Sequence, residues 1–422
     1  MSRRIGMGLA IVMVVALSWL AVGQKVVKYT DKNLETAIRE AIYITRGAIL
    51  DYDVAWLTEL FAADLGISSL DGLQYCTSLA TVVLSDNDIT DLGPLRGAEA
   101  LVTAVLDNNS ISDAGPLDKL TNLRNLNLRG NTISDISALE VLTRLETLDL
   151  RGNTVGNLSP LSALVRLESL SLTCGGACSI SPLHPLDRLT SLSIETAGAI
   201  DLTAVGLMDE LERLELISSG ISDFDPLRRL PSLTRIWLRD LDLTDLVEVI
   251  DVLPALEEIG LADMEIDSFL PLAELESLNR LHLENVRFED MGILFEFPHL
   301  EALSLGNNSM TEVIALATFQ DLVELDLSDN DIDDINPLSS LILLEVLDLS
   351  GNPIADIMPL QTLKALRSID LSGTNVTSIA VLLLFEELEF VNLADTAIAT
   401  SAGSTPSGVI AQLRDLGVEV EL

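Results

Sequence analysis

Residues 322–343 read LVELDLSDNDIDDINPLSSLIL, and at Leu344 the pattern begins again as LEVLDLSGNPIADIMPLQTLKA. Counted from the first Leu of each 22-residue unit, apolar residues fall at positions 1, 4, 6, 11, 14, 17 and 20, with Asn at 9, Asp at 13 and Pro at 16. Leu325 and Leu327 alternate with Glu324, Asp326 and Ser328, the period of a half-buried strand with leucines inward and polar side chains outward. So short a strand cannot bury its apolar face alone. It must lie beside the equivalent strand of the next unit, building a parallel sheet with one strand per repeat. Asn330 follows where the chain must turn; a short amide there bonds backbone groups that would otherwise be orphaned, and stacked copies form a ladder. Asp334 reads as a local turn or cap residue, and Pro337 sets φ for a tight helical or 3₁₀ turn on the opposite side.

Outward from this pair, units start at Leu57, Leu79, Leu101, Leu123, Leu145, Leu167, Leu189, Leu211, Leu233, Leu256, Leu278, Leu300, Leu322, Leu344, Leu366 and Leu388. The spacing is 22 throughout except for a single extra residue between Leu233 and Leu256. Positions 4 and 6 are apolar in every unit, from Leu60 and Ala62 to Val391 and Leu393. A period of this size carrying L-x-x-L-x-L-x-x-N marks a leucine-rich-repeat solenoid. The expected fold class is therefore an α/β solenoid: a horseshoe or arc with one parallel β-strand per 22-residue repeat, short 3₁₀ or turn segments on the convex side, a helical N-terminal cap and a C-terminal helix-strand cap.

The ends depart from the repeat. Residues 1–23 read as a signal peptide, with Arg3 and Arg4, an apolar run from Met7 to Leu20 and a small-x-small cleavage site at Ala21-Val22-Gly23; an uncleaved anchor is the rival reading. No Cys follows that site to form a lipobox and no sorting tail closes the chain, so the mature protein is expected to be soluble and secreted or on the exterior of the cell envelope. Residues 24–56 read as a helical cap: a helix from Tyr29 to about Ile44, N-capped by Asp31, then a short one over Tyr52 to Trp56, with Trp56 in the cap core. The array covers 57–399. Residues 400–422 supply a loop, a helix from about Gly408 to Leu416 presenting Val409, Ile410, Leu413 and Leu416, and a final strand through Val418 and Val420.

The segments Ile89-Thr90-Asp91-Leu92-Gly93-Pro94-Leu95 and Ile354-Ala355-Asp356-Ile357-Met358-Pro359-Leu360 resemble the I-x-D-I-x-P-L element of bacterial leucine-rich-repeat proteins of the internalin type. The N-terminal DKNLETAIREAI, with LTEL and GISSLDGLQYCTSL after it, is similar to the cap and first repeat of secreted prokaryotic members. This resemblance implies a curved solenoid that binds a protein or polysaccharide on its concave sheet.

Asn occupies position 9 at Asn87, Asn109, Asn131, Asn153, Asn308, Asn330 and Asn352, whereas the middle units place Gly175, Ala197, Ser219, Leu241, Met264 and Val286 there. Either those turns are rebuilt around apolar packing or the segment is specialised. In the same region the outward positions 3, 5 and 7 hold Arg213, Glu215 and Ile217, then Arg235, Trp237 and Arg239, then Glu258, Gly260 and Ala262, then Arg280, His282 and Glu284. A Trp among arginines, in a chain with only 4% aromatic residues, has the composition of an interface hot spot. The competing reading is a solvated strand face with alternating charge pairs.

A formal charge of −40 argues against nucleic acid and anionic membrane as partners. Cys174 and Cys178 flank two glycines in one turn, which suits a disulfide in an exported protein, while Cys76 stands where Leu is usual and reads as a buried apolar residue. A metal site would need more ligands than His184 adds, and no nucleophile, zinc or phosphate-loop motif is present, so no metal, cofactor or catalytic residue is assigned. The reading is a monomeric, non-catalytic recognition protein; the alternative is a structural cell-surface or extracellular component without a dedicated ligand.

Overall fold

The computed structural model describes residues 25–176, 179–217, 220–221, 223–241, 247–250, 252–253, 255–286, 291–297, 299–398 and 405–422. The segment read as a signal peptide, 1–23, lies outside the described residues. The chain divides into two compact units, the first ending at Met208 and the second beginning at Asp209.

In the first unit, strands β1 (Glu59–Phe61), β2 (Thr81–Val83), β3 (Thr103–Val105), β4 (Asn125–Asn127), β5 (Thr147–Val155), β6 (Ser169–Cys174) and β7 (Ser191–Thr196) pair in parallel, each with the next. The second unit continues in the same manner with β8 (Arg213–Ile217), β9 (Arg235–Arg239), β10 (Glu258–Ala262), β11 (Arg280–Glu284), β12 (Ala302–Ser304), β13 (Glu324–Asp326), β14 (Val346–Asp348), β15 (Ser368–Asp370), β16 (Phe390–Asn392) and β17 (Glu419–Glu421). Partner residues are 22 apart wherever the repeat is regular, as in Leu325 beside Leu347. Between β9 and β10 they are 23 apart, Ile236 beside Ile259, so the extra residue is absorbed outside the strands and the leucine columns stay aligned. That segment carries a one-turn α-helix, Val247–Ile250, where the regular repeats have 3₁₀ turns such as Asn336–Ser340.

The residues at positions 4 and 6 form two continuous buried columns in each unit, Leu60 and Ala62 at one end and Val391 and Leu393 at the other all being at most 2% exposed. Burying one such leucine is worth about 1.5–3 kcal/mol, and no strand could hold its pair alone.

The buried Asn residues stitch successive repeats together. Asn330 accepts from the backbone N–H groups of Asn308 (3.1 Å) and Met310 (2.8 Å) and donates to the carbonyls of Leu305 (2.9 Å) and Leu327 (3.0 Å). Asn131 and Asn153 repeat the scheme in the first unit, each reaching back 25 residues to a carbonyl. Position 8, immediately before, adopts a left-handed backbone in regular units, at Asp86, Asn108, Gly130, Asp329 and Gly351, and it is filled by the residue types that tolerate that conformation.

Where the Asn column lapses, the two units solve the turn differently. β6 and β7 run on to Cys174 and Thr196, so that position 8 turns inward and Gly175 and Ala197 are left exposed. Thr196 there donates to the Gly176 carbonyl and accepts from the Gly198 N–H, taking part of the amide's task. In the second unit Leu241, Met264 and Val286 are themselves buried, so apolar packing replaces the amide. Ser219 lies outside the described residues.

The 3₁₀ turns opposite the strands are closed by the Asp at position 13, whose carboxylate accepts a backbone N–H two residues on at Asp91, Asp113 and Asp334 (2.7, 2.7 and 2.9 Å). At the N-terminal end, α1 (Lys32–Ala41) starts from Asp31, which also accepts from the N–H and hydroxyl of Ser68 and so ties the cap to the first repeat. α2 (Asp51–Val54) is shorter than the sequence suggested, and Trp56 is 59% exposed. The cap core uses Val54 and Leu57 instead, which corrects the placement of Trp56. With Val247–Ile250 counted as α3, the C-terminal helix is α4 (Thr405–Asp415); Val409, Ile410 and Leu413 are buried, but Leu416 follows the last turn and is exposed.

Because Asn330 satisfies several buried backbone groups, each costing about 1–3 kcal/mol when left unpaired, Asn330→Ala should lower the unfolding free energy by about 2–4 kcal/mol. Chemical denaturation measures it, and a loss under about 0.5 kcal/mol would remove the ladder from the account of stability.

Candidate functional site

Parallel register brings Trp237, Gly260 and His282 side by side on β9, β10 and β11 at the same outward position. The indole lies over Gly260: a Cβ there would sit 2.3 Å from ring atoms of Trp237, so only glycine leaves room beneath it. Beyond the glycine the ring meets His282, with centroids 4.7 Å apart and planes tilted by 33°. The indole Nε1 donates to Glu258 Oε1 at 2.8 Å. The tryptophan is thus half-buried and fixed at one edge, and its remaining surface lies on the outward face.

All the outward positions of β10 are covered: Glu258 is 8% exposed, Gly260 lies beneath the indole, and Ala262 is 1% exposed. Arg239 passes beyond β10 to reach Glu284 on β11 (2.8 Å) and also approaches Asp263 (3.7 Å). Arg235 lies 3.8 Å from Glu258, and Arg280 grips Glu324 with two bonds of 2.9 and 3.2 Å across β12. Arg213 faces Arg235 in register and Glu215 faces Trp237. The structure therefore brings the sequence-derived cluster together, but Arg235, Arg239 and Arg280 are already engaged by carboxylates. Exposed ion pairs of this kind each contribute only about 0–1 kcal/mol; their effect is to fix the side chains around the aromatic pair.

Next to that pair a cavity of about 390 Å³ opens on the outward face, lined by Trp237, His282, Glu284, Glu324, Asp326 and Asp348 among others. Burial holds the His282 imidazole below its ordinary pKa, with Glu258 pulling the other way, so the ring is neutral at neutral pH. The hydrogen bonds from Arg280 hold the Glu324 carboxyl down. Asp348 moves the opposite way: burial raises it, the bonds from Ser350 oppose the rise, and Asp326 and Asp370 in register on either side add repulsion.

The sequence-derived site left out Gly260, Glu258, Glu324, Asp326 and Asp348, although the strand register had already placed Glu258, Gly260 and Asp326 at outward positions. The signal for Gly260 was its position, outward and directly beside the one Trp on a strand face. Elsewhere, His184 lines a separate cavity of about 540 Å³ on the turn side of the first unit, with Asp201 and Thr203. His299 is an exposed turn residue 3.0 Å from Asp321. Cys76 is fully buried, which pushes its thiol up to about 12. Cys174 is buried and disulfide-bonded, while Cys178 lies outside the described residues. Among the described residues no group of three or more His, Cys, Asp or Glu is arranged to hold a metal ion.

Gly260→Ala should eject the indole from its seat, seen as a red shift of Trp fluorescence relative to wild type; an unchanged spectrum would show that the ring does not lie on the glycine. Asp348→Asn keeps an oxygen for the Ser350 bonds and removes the repulsion. Because the folded-state pKa of Asp348 is raised, its contribution to stability is present below the unfolded value and lost as pH rises through the folded one. The variant should therefore melt higher than wild type at pH 7, with the gap closing by about pH 3; equal melting temperatures at both pH values would contradict the repulsion.

Two family models match parts of the chain: Leucine Rich repeats (2 copies) over residues 99–141 and Leucine Rich repeat over residues 75–93 and 320–335. No curated protein matches this sequence. Among solved structures, the functional domain of InlJ from Listeria monocytogenes is 19% identical, with 87% of this chain and 82% of that chain covered and a TM-score of 0.53. A leucine-rich-repeat protein of Leptospira interrogans is 21% identical, covering 86% of this chain and 95% of that one at a TM-score of 0.50. An internalin, InlF, from L. monocytogenes is 24% identical over 93% of this chain and 95% of that one, with a TM-score of 0.41. With its stacked leucine columns, short parallel strands and 3₁₀ turns, the chain is a leucine-rich-repeat solenoid, similar in fold to the functional domain of InlJ from Listeria monocytogenes.

Proposed function

We propose that this chain is an exported, non-catalytic binding protein that recognises a protein or glycan partner through the outward sheet face of β8 to β14, with Trp237 at its centre. The observation that carries the reading is the seating of Trp237. Its ring is already fixed over Gly260 by Glu258 and His282, so little conformational freedom is lost when a partner covers it. Charged side chains around it are held in place by one another, forming a polar rim about an aromatic centre, the arrangement in which hot spots are found. Export rests on the signal-like residues 1–23. No helix among the described residues is long and apolar enough to cross a membrane.

Affinity capture from the surroundings of the producing cell, with wild type beside Trp237→Ala and Arg235→Ala, tests the proposal. A saturable partner should bind wild type and lose about 2 kcal/mol of affinity, roughly thirtyfold, in Trp237→Ala, with folding stability nearly unchanged. Equal losses of affinity and stability would make Trp237 a structural residue. Unspecific, salt-sensitive association, the same for all forms, would favour a structural component without a dedicated ligand.

A further inference from the structure

The cavity beside Trp237 has a chemistry more specific than a general recognition face, and on the reading that this face binds a partner we infer that it seats a cationic side chain, a lysine or arginine presented by a basic segment of a partner protein. Four carboxylates line it, those of Glu284, Glu324, Asp326 and Asp348, and no Arg or Lys does. Glu284 is matched by Arg239 and Glu324 by Arg280, which leaves Asp326 and Asp348 without a basic partner among the described residues. The Trp237–His282 pair lines the same cavity, and a cation within about 6 Å of an indole face gains from the ring quadrupole.

Hydrogen-bond capacity separates this occupant from a sugar. A glycan hydroxyl both donates and accepts, so its pocket must offer groups of both kinds. Here most of the nearby donors are spent, one ring N–H of the neutral His282 remaining. Trp237 Nε1 goes to Glu258, the Ser304 hydroxyl to Asp326 Oδ2 at 2.8 Å, and the arginines to Glu284 and Glu324. Beyond that one N–H, what remains is acceptor capacity and negative charge, the complement of an ammonium or guanidinium group, which only donates. Asp348 strengthens the case: its carboxyl is held up by burial and by Asp326 and Asp370, so a cation arriving there relieves repulsion that the free protein carries.

The test is titration of the signal-free chain (residues 24–422) with tetralysine, tetraglutamate and cellotetraose by calorimetry in 0.15 M salt, about an 8 Å screening length, which suppresses attraction by the distant charges of the acidic chain. Tetralysine should bind saturably, about tenfold more weakly to Trp237→Ala and to Asp348→Asn, and within twofold of wild type to Glu386→Gln, an exposed carboxylate away from the cavity that removes the same charge. Equal weakening by Asp348→Asn and Glu386→Gln would show attraction by net charge alone and overturn the inference. So would absence of tetralysine binding, or binding of cellotetraose that depends on Trp237. These failures leave the broader recognition reading standing if affinity capture still yields a partner lost in Trp237→Ala; if that partner is absent as well, both fall.

Discussion

A strand of three to five residues with one apolar face is unstable by itself, and the chain meets that constraint by returning to the same place every 22 residues. The leucine and isoleucine columns at positions 4 and 6 are what the return accomplishes, since each pair is buried only because its neighbours are. Register follows, because a slip of one residue would turn every buried side chain outward. The one irregular step shows how firmly this holds: the extra residue between β9 and β10 leaves Ile236 beside Ile259 and is taken up away from the strands.

Fixed register determines the outward face as much as the core. Once the columns are aligned, residues at one outward position on successive strands stand in a row, and their lengths decide what meets. Trp237 reaches His282 because Gly260 stands between them and contributes no side chain. Arg239 and Arg280 likewise reach carboxylates two strands away, because Ala262 and Ala302 lie in between. The same rule places Asp326, Asp348 and Asp370 in a repelling row. A carboxylate kept where it opposes folding is better explained by what it meets than by what it stabilises.

The sequence made the columns, the strand positions, the 3₁₀ turns and the outward location of Trp237 legible, because each depends on spacing along the chain. It did not show the seat of Trp237, the bond to Glu258 or the cavity, since these arise between strands and depend on how far side chains reach. Trp56 was misplaced for a related reason: in a short segment without periodicity, Val54 and Leu57 suffice to close the core and the indole is left outside. The extension of β6 and β7 was readable in principle. Cys174 and Thr196 stand at position 8, where regular units use Asp, Asn or Gly for a left-handed turn, and neither suits that conformation.

Aligned strands lay the Trp237 ring across Gly260 on the outward face. Nuclear magnetic resonance of glycine-labelled protein tests this placement most directly. Gly260 Hα resonances should be displaced upfield by the ring current and return to ordinary positions in Trp237→Ala; unshifted resonances in the wild type would show that the ring does not lie on the glycine.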